Sequence, residues 1–396
     1  MQKKVLVVDD SALMRRVLSD IIDSDTRFHV TKTANNGLEA LDILLKGETF
    51  DAIVLDINMP KLSGLEFLKE LDTRGIKATC IVVSTVAKEG AKETIYALEL
   101  GAFDFVTKPD NFYQVRGDQF KERLLEVIAL ATKQKVEPYS FNNESKNVSP
   151  VPSMESPIRN ILARDTQEKD IAARELQTKE MAATKVNDLP VRMPVANRRS
   201  YGSSPNRIVA LACSTGGPKA LQQVVPLLPE NLNCSFLIVQ HMPEGFTYSL
   251  AHRLNEISKV TVKEAEHGEI LQNGVVYIAK GGKQMRVISE RGVNKLSITE
   301  EPPRNSLKPC ADIMYESLAT ADFDDILCVV LTGMGSDGTS GIRQLCEMKS
   351  TYVIAQDEDS STVYGMPRVV IESGLANEIV PLGKITEAIT KNLGVS

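Results

Sequence analysis

A nucleophile could lie in the segment ACSTGGP, residues 212–218, which directly follows the apolar run RIVAL. Glycines after a strand present backbone N–H groups at close range. They suit a phosphate-binding loop, a nucleophile on a turn, or a strand that simply runs into a helix. A Walker phosphate loop needs a lysine directly after its glycines, whereas Pro218 follows Gly217 here, and the dinucleotide pattern GxGxxG is absent as well. The pattern therefore favours a nucleophile, which needs a base.

His241 is the best candidate for that base, because it alone among the four histidines follows an apolar strand, in FLIVQHMP. Asp337 follows another apolar run, DILCVVLTG, in a glycine-rich turn. Together with Ser214 these residues would form a Ser-His-Asp site at three strand ends. Their chain order and the lack of a GxSxG motif differ from α/β-hydrolases. The neighbouring Cys213 points to the opposite face of its strand, which favours a packing role.

A second group of polar residues ends the predicted strands of the first 110 residues. These residues are Asp9, Asp10, Asp56, Ser84 and Lys108. Since the carboxyl ends of parallel strands share one edge of a sheet, we expect the five side chains to converge there. Three carboxylates at one edge repel one another unless a cation lies among them, and hard oxygen ligands in a watery site fit Mg²⁺.

Two α/β regions must position these groups. Residues 3–130 alternate short β-branched runs with stretches of helical periodicity, which predicts βαβ units and a parallel sheet. Strand signals return from Arg207 onward, and we predict a second doubly wound α/β domain with an inserted antiparallel hairpin around residues 275–299. Between the two regions, residues 133–205 are polar and rich in Pro, Ser and charge, which predicts a linker with at most one solvated helix.

Composition narrows the functional classes. A formal net charge of -6 argues against a nucleic-acid-binding output, and no apolar run is long enough to insert into a membrane. The six cysteines are scattered without C-x-x-C spacing, as expected for buried thiols in a reducing compartment. We therefore expect a cytoplasmic protein.

The strand-end pattern of residues 1–125 resembles the response-regulator receiver domain. The resemblance implies a flavodoxin-like doubly wound parallel sheet and a histidine kinase as the phosphodonor. It also implies that Mg²⁺ supports phosphorylation and is held by Asp9, Asp10, Asp56 and the backbone carbonyl of Asn58.

The same resemblance assigns roles in phosphorylation to four positions. Asp56 would accept the phosphoryl group, Ser84 would be the hydroxyl that moves toward it, Lys108 its cationic partner, and Phe105 the aromatic residue that follows the switch. An aspartyl phosphate adds charge and acceptor oxygens, which a hydroxyl and a lysine can bind only by shifting their loops.

Four motifs of the second region together resemble the catalytic domain of the chemotaxis protein-glutamate methylesterase family: ACSTGGP, VQHMPEGFT, LTGMGSDGTSGI and VIAQDEDSSTVYGMP. This domain would span residues 206–393. The resemblance makes Ser214 the nucleophile, His241 the base, Asp337 its orienting carboxylate and the Met334 backbone N–H an oxyanion donor.

The family implies hydrolysis of glutamate methyl esters on the cytoplasmic helices of chemoreceptors, with no cofactor for that step, and in some members deamidation of receptor glutamine. We expect the receiver to hold the output domain back until it is phosphorylated. Two departures from the family are Cys213, where alanine is usual, and Cys310, where serine is common, and we expect neither to touch the triad. A small-molecule ester hydrolase and a non-enzymatic, phosphorylation-gated adaptor are the alternatives.

Overall fold

Two parallel β-sheets, one in each α/β region, organise the chain. The computed structural model describes residues 2–85, 87–108, 118–134 and 206–395. Most of the predicted linker, from residue 135 to residue 205, lies outside the described residues. The two α/β regions belong to one compact unit.

The first sheet has five strands in the order β2-β1-β3-β4-β5, and all four strand pairs are parallel. The strands are β1 (Lys3–Val8), β2 (Phe28–Ala34), β3 (Ala52–Asp56), β4 (Cys80–Thr85) and β5 (Asp104–Lys108). The helices around it are α1 (Ala12–Asp23), α2 (Gly37–Leu45), α3 (Gly64–Thr73), α4 (Lys88–Glu99) and α5 (Asp118–Ala131). This arrangement confirms the predicted doubly wound parallel sheet.

Local sequence accounts for these elements. Strand β3, AIVLD, is buried along its whole length, as expected for a central parallel strand covered by helices on both faces. Helices α1, α2 and α3 begin at polar caps, since the side chains of Ser11, Asn36 and Ser63 each accept a hydrogen bond from a first-turn N–H. The Glu66 carboxylate also accepts a hydrogen bond from the Ser63 N–H, which completes a capping box.

The second sheet has seven parallel strands in the order β14-β13-β12-β6-β7-β9-β8. Its strands are β6 (Arg207–Cys213), β7 (Ser235–Gln240), β8 (Thr261–Glu264), β9 (Val275–Ile278), β12 (Asp325–Val330), β13 (Ser350–Gln356) and β14 (Glu378–Val380). The helices are α6 (Gly217–Val224), α7 (Phe246–Ile257), α8 (Ala311–Leu318), α9 (Thr339–Met348), α10 (Met366–Glu372) and α11 (Ile385–Leu393).

An antiparallel hairpin is inserted between β9 and α8, as predicted, but it is shorter than predicted. It consists of β10 (Gln284–Glu290) and β11 (Val293–Thr299). The predicted start at residue 275 is wrong, because Val275–Ile278 pairs in parallel with β7 and β8 in the main sheet. The hairpin is fixed to α8 through its buried side chains and a hydrogen bond from the Val287 N–H to Ser317.

Both sheets have a switch point, where the chain changes its direction of winding. In the first sheet this point lies between β1 and β3, and in the second between β6 and β12. Ligands of open parallel sheets bind at the carboxyl ends of the strands beside such a point. Separately, none of the helices in the described ranges is both long enough and apolar enough to cross a bilayer.

Candidate active site and phosphorylation site

Ser214 directly follows β6 and opens the turn into α6. Its N–H donates to the carbonyl of Thr332, 3.0 Å away, and its own carbonyl accepts from the Gly217 N–H at 2.8 Å. The turn passes through Gly216 at φ 80°, where a side chain would also collide with Thr362, since an added Cβ would lie 2.5 Å from that residue. The sequence ACSTGGP therefore forms a tight strand-to-helix turn that leaves the Ser214 side chain half-buried at the sheet edge.

His241 follows β7, the strand next to β6, so it lies beside Ser214 in the register of the sheet. The last ladder bond joins the His241 N–H to the Cys213 carbonyl at 3.1 Å. The imidazole Nε2 lies 2.7 Å from Asp337 Oδ2. Because an ionised carboxylate can only accept, Nε2 carries the hydrogen of this bond. Between described residues no hydrogen bond joins the Ser214 hydroxyl to the imidazole.

Asp337 is buried in the turn before α9 and has more than the histidine as a partner. Its Oδ2 accepts from the Ala311 N–H at 2.6 Å and its Oδ1 from the Asp312 N–H at 3.0 Å. Burial would raise the pKa of Asp337, but the hydrogen bonds from His241, Ala311 and Asp312 outweigh burial and lower it to about 2. This carboxylate is therefore ionised at neutral pH.

The expectation that Cys310 does not touch the triad is wrong. Its thiol donates to Asp337 Oδ1 at 3.1 Å, and burial raises the pKa of the thiol to about 12, so the proton stays on sulfur. Cys213 is fully buried, and its thiol donates to Gln240 Oε1 at 3.0 Å. Burial also raises the pKa of Cys213, which disfavours the thiolate that a cysteine nucleophile would need.

Met334 lies in the loop after β12, close to the predicted nucleophile. Gly333 just before it approaches so closely that an added Cβ would lie 2.8 Å from the Ser214 Cβ. In the part of the chain that the structure describes, no protein group accepts a hydrogen bond from the Met334 N–H. A free backbone donor beside the serine is what an oxyanion site requires, so Met334 stays the proposed donor.

The acidic residues of the first region also converge. One carboxylate oxygen from each of Asp9, Asp10 and Asp56 lies within 4.8 Å of the others. The Lys108 ammonium reaches two of them, at 2.9 Å from Asp9 Oδ2 and 2.9 Å from Asp56 Oδ1. Burial raises the pKa of Asp56 to about 6, Lys108 opposes this rise, and the charge of Asp9 adds to it. Burial alone would lower the pKa of Lys108, but the carboxylates raise it.

This donor set fits Mg²⁺, because it offers clustered hard oxygen atoms and more negative charge than one lysine neutralises. Asn58 is exposed, and its side-chain amide donates to Glu93 on α4 at 3.1 Å, so the backbone carbonyl stays its predicted contribution to the cluster. The Ser84 hydroxyl is buried and donates to the Gly90 carbonyl at 3.2 Å. The predicted switch hydroxyl is thus bonded to the first turn of α4.

The predicted switch aromatic touches the other domain directly. Phe105 stacks on Phe246 of α7 with ring centroids 4.7 Å apart. Beside it, Asp104 Oδ2 accepts from the Thr215 hydroxyl at 2.8 Å, so the receiver contacts the residue that follows Ser214. Burial raises the pKa of Asp104 against the opposing charge of Arg123.

A charged pair adds to this interface. The Arg253 guanidinium on α7 binds the Glu99 carboxylate on α4 through two hydrogen bonds, of 2.7 and 3.0 Å. Sequence reasoning missed these contacts, as well as Thr215 and Cys310. Periodicity describes each element by itself and carries no signal for which surfaces of two domains meet.

Comparison with known proteins shows that these two domains occur in a known combination. Residues 5–116 match the response regulator receiver domain family, and residues 209–389 match the family described as CheB methylesterase. The fold and the two sites thus define a response regulator whose output domain is a hydrolase.

Relatives with the same pair of domains extend over the whole chain. A protein-glutamate methylesterase/protein-glutamine glutaminase of Syntrophomonas wolfei is 35% identical over 99% of this chain and 99% of its own, and one of Halalkalibacterium halodurans is 38% identical over 98% and 97%. The catalytic domain of a Thermotoga maritima CheB methylesterase, a solved structure, is 38% identical, with a TM-score of 0.46 over 48% of this chain and 100% of that chain. The chain belongs to the protein-glutamate methylesterase/protein-glutamine glutaminase family.

Proposed function

We propose that this protein removes methyl groups from glutamate methyl esters on the cytoplasmic helices of chemoreceptors and deamidates receptor glutamine, and that phosphorylation of its receiver raises this activity. The observation that carries the proposal is the His241–Asp337 pair beside Ser214 at a sheet switch point, joined to a receiver with a converged acid pocket. Both its substrate and its kinase would be cytoplasmic, so we propose that the enzyme works in the cytoplasm.

Ser214 attacks the ester carbonyl in the first step. Nδ1 of His241 takes the hydroxyl proton, while Asp337 holds the ring through Nε2 and stabilises the imidazolium that forms. The carbonyl oxygen becomes an oxyanion, for which the Met334 N–H is the proposed donor. Collapse of the tetrahedral intermediate breaks the ester bond, and the imidazolium gives its proton to the departing methoxide, so methanol leaves and a glutamyl ester of Ser214 remains.

Water completes the reaction by the same route in reverse. His241 takes a proton from the water as it attacks the glutamyl ester, and the Ser214 oxygen leaves with that proton. The products are a receptor glutamate and the free enzyme. A receptor glutamine would follow the same path, with ammonia instead of methanol as the leaving group.

Phosphorylation concerns the other domain. We propose that an Asp56 carboxylate oxygen attacks the phosphorus of the phosphodonor as the bond from phosphorus to the donor breaks, which leaves an aspartyl phosphate and releases the kinase histidine, or acetate when acetyl phosphate is the donor. Asp9, Asp10, Asp56 and the Asn58 carbonyl would hold Mg²⁺, which would neutralise charge on the transferring group. Lys108 already lies against Asp9 and Asp56 and can follow the new phosphate. The Ser84 hydroxyl would have to leave the Gly90 carbonyl to reach the phosphate.

The interface supplies the route from phosphorylation to activity. Strand β5 carries Lys108 at one end and Asp104 and Phe105, which contact Thr215 and Phe246, at the other. We propose that the receiver restrains the catalytic domain through these contacts until phosphate at Asp56 weakens them. An allosteric coupling of about 1–3 kcal/mol would raise the activity roughly 5- to 150-fold.

The test is release of methanol from methylated receptor membranes, with and without a small phosphodonor. We expect release that depends on receptor, that rises with phosphodonor and Mg²⁺, and that is lost in Ser214→Ala. Hydrolysis of generic small esters without release from receptors would favour a small-molecule esterase. Absence of any Ser214-dependent hydrolysis would favour a phosphorylation-gated adaptor.

A further inference from the structure

Two buried glutamine side chains hold the backbone around Ser214 and have no role in the mechanism above. Gln240 is the last residue of β7 and is 1% exposed, and Gln356 is the last residue of β13 and is 0% exposed. Buried amides must find hydrogen-bond partners. The partners of these two amides are backbone groups around Ser214.

Gln240 bonds to the backbone of both the proposed nucleophile and the proposed base. Its Nε2 donates to the carbonyl of Ser214 at 3.0 Å and to the carbonyl of His241 at 3.2 Å. Its Oε1 accepts from the Cys213 thiol. The backbone ladder between β6 and β7 ends just before these carbonyls, so the side-chain amide continues the connection where the strands stop.

The second glycine of the GG pair provides the room for this amide. A Cβ on Gly217 would lie 2.0 Å from Gln240 Oε1, a distance that real Cβ atoms do not show. Gly217 has a negative φ, so its backbone conformation does not require glycine. Close approach of the Gln240 amide is therefore the physical reason for glycine at this position.

Gln356 is linked to the backbone N–H of Ser214 through one intermediate residue, Thr332. Its Oε1 accepts from the Thr332 N–H at 2.8 Å, and its Nε2 donates to the Ser360 carbonyl at 2.8 Å. The Thr332 carbonyl in turn accepts the Ser214 N–H. The backbone N–H and C=O of Ser214 are thus both fixed through bonds that lead to a buried glutamine.

We propose that Gln240 and Gln356 are positioning residues that set where Ser214 lies relative to His241, and that they govern turnover rather than substrate binding. This inference rests on the proposed function, in which Ser214 is the nucleophile. A misplacement of a reacting group by about 1 Å can cost roughly 100-fold in rate. Loss of the direct hydrogen bond from Gln240 to the Ser214 carbonyl should therefore lower turnover more than loss of the indirect link through Gln356.

The experiment uses the full chain and compares Gln240→Leu and Gln356→Leu with a matched control, Asn294→Leu. Asn294 is also a buried amide with two backbone hydrogen bonds, to the N–H and carbonyl of Asp322, but these bonds lie beside the turn that joins β10 to β11. Active sites are counted by titration to completion with a serine-directed fluorophosphonate. Methanol release from methylated receptor membranes then gives kcat per titrated site and KM, and thermal melting reports stability.

We expect Gln240→Leu to lower kcat per site by about 10- to 100-fold and Gln356→Leu by about 3- to 10-fold, with KM changed by less than about twofold. Asn294→Leu should lower the melting temperature and keep kcat per site. In Gln240→Glu, a protonated carboxyl regains one donor, so its activity relative to wild type should rise as the pH falls from about 8 to about 6.

The outcomes separate the inference from the proposed function. If Gln240→Leu melts earlier but keeps wild-type kcat per site, the glutamine is structural only and the inference is wrong. A loss confined to KM would also overturn it. If Ser214→Ala releases methanol at the wild-type rate and the fluorophosphonate does not label Ser214, the proposed nucleophile itself fails, whatever the glutamine variants do.

Discussion

Asp56 and Asp337 are two aspartates with the same burial and opposite chemistry. Each lies at the carboxyl edge of a parallel sheet, 8% exposed for Asp56 and 6% for Asp337. The pKa of Asp56 is raised to about 6, whereas the pKa of Asp337 is lowered to about 2. Burial raises the pKa in both cases, so the difference must come from the groups around each carboxylate.

Those groups differ in number and in sign. Asp337 accepts four hydrogen bonds, from an imidazole, two backbone N–H groups and a thiol. Asp56 accepts from Lys108 and from the Ile57 N–H, and Asp9 competes with it for the same lysine. Asp337, the proposed orienting carboxylate, is thus held by several hydrogen-bond donors, whereas Asp56, the proposed phosphoryl acceptor, shares one lysine with a second carboxylate.

The largest effect that this comparison predicts is loss of turnover at the site of Ser214, His241 and Asp337. We expect Ser214→Ala, His241→Ala and Asp337→Ala each to lower methanol release by about 10³-fold or more, with little further loss in combination, because the three residues act as a unit. Cys213→Ala is the control and should keep most of the activity. Loss in Cys213→Ala with retention in Ser214→Ala would reassign the nucleophile.

Phosphorylation at the cluster of Asp9, Asp10 and Asp56 should depend on Mg²⁺. We expect acetyl phosphate to label Asp56 only with Mg²⁺ present, and Asp56→Asn to lose both the label and the activation of roughly 5- to 150-fold. Asp51→Asn changes an aspartate at the start of β3, far from the cluster, and should label normally. Undiminished labelling in EDTA would contradict the role of the metal.

The lowered pKa of Asp337 predicts a pH-dependent contribution to stability. The folded pKa of about 2 lies below the unfolded value of roughly 3.9, so the carboxylate stabilises the fold above about pH 4, and this contribution disappears as the pH falls toward 2. Urea unfolding of wild type and Asp337→Asn should differ by on the order of 2 kcal/mol at about pH 5 and by less at about pH 3. An unchanged difference at the lower pH would refute the assignment.

Cys310 tests how much one of the four donors to Asp337 matters. We expect Cys310→Ala to lower kcat by about 2- to 10-fold, as fits a single modest hydrogen bond, and Cys310→Ser to keep near wild-type activity because it retains a donor. Steady-state methanol release would measure both. Equal losses in the two variants would show that thiol packing, rather than its hydrogen bond, is what the site needs.

The smallest predicted effect concerns the contact between the two regions. The Glu99–Arg253 pair is about one-third exposed, and such pairs contribute roughly 0.2–1 kcal/mol, so Glu99→Gln should raise unphosphorylated activity by about 1.5- to 5-fold. Arg253→Glu should act in the same direction, and Glu99→Arg combined with Arg253→Glu should restore restraint. Basal methanol release without phosphodonor is the measurement, and unchanged or lower activity in both Glu99→Gln and Arg253→Glu would contradict restraint at this contact.

Sequence predicted well those features that repeat along the chain. Apolar runs identified all five strands of the first sheet, and strand-end reasoning brought Asp9, Asp10 and Asp56 together. The strands β8 and β14 were missed, because four and three residues are too short to show alternation and their sequences, TVKE and EIV, are partly polar.

Single side chains that support the site gave no such signal. Cys310 was expected to lie apart from the triad, but the folded loop before α8 brings its thiol to Asp337. Gln240 lies next to His241 in the sequence, yet its amide function depends on a cavity left by Gly217. The residue types were visible, but their partners depend on tertiary geometry.

Strand β5 has a consequence for the timing of the response. Asp104 and Lys108 are four residues apart, about 13 Å at the usual rise of a strand, so the proposed phosphate-binding lysine and the aspartate that contacts the catalytic domain lie on one strand. If this strand shifts, the groups at its two ends move together, and no segment must unfold and fold again. We therefore expect the delay between signal and response to be set by how quickly phosphoryl groups arrive and are lost, rather than by the protein's own rearrangement.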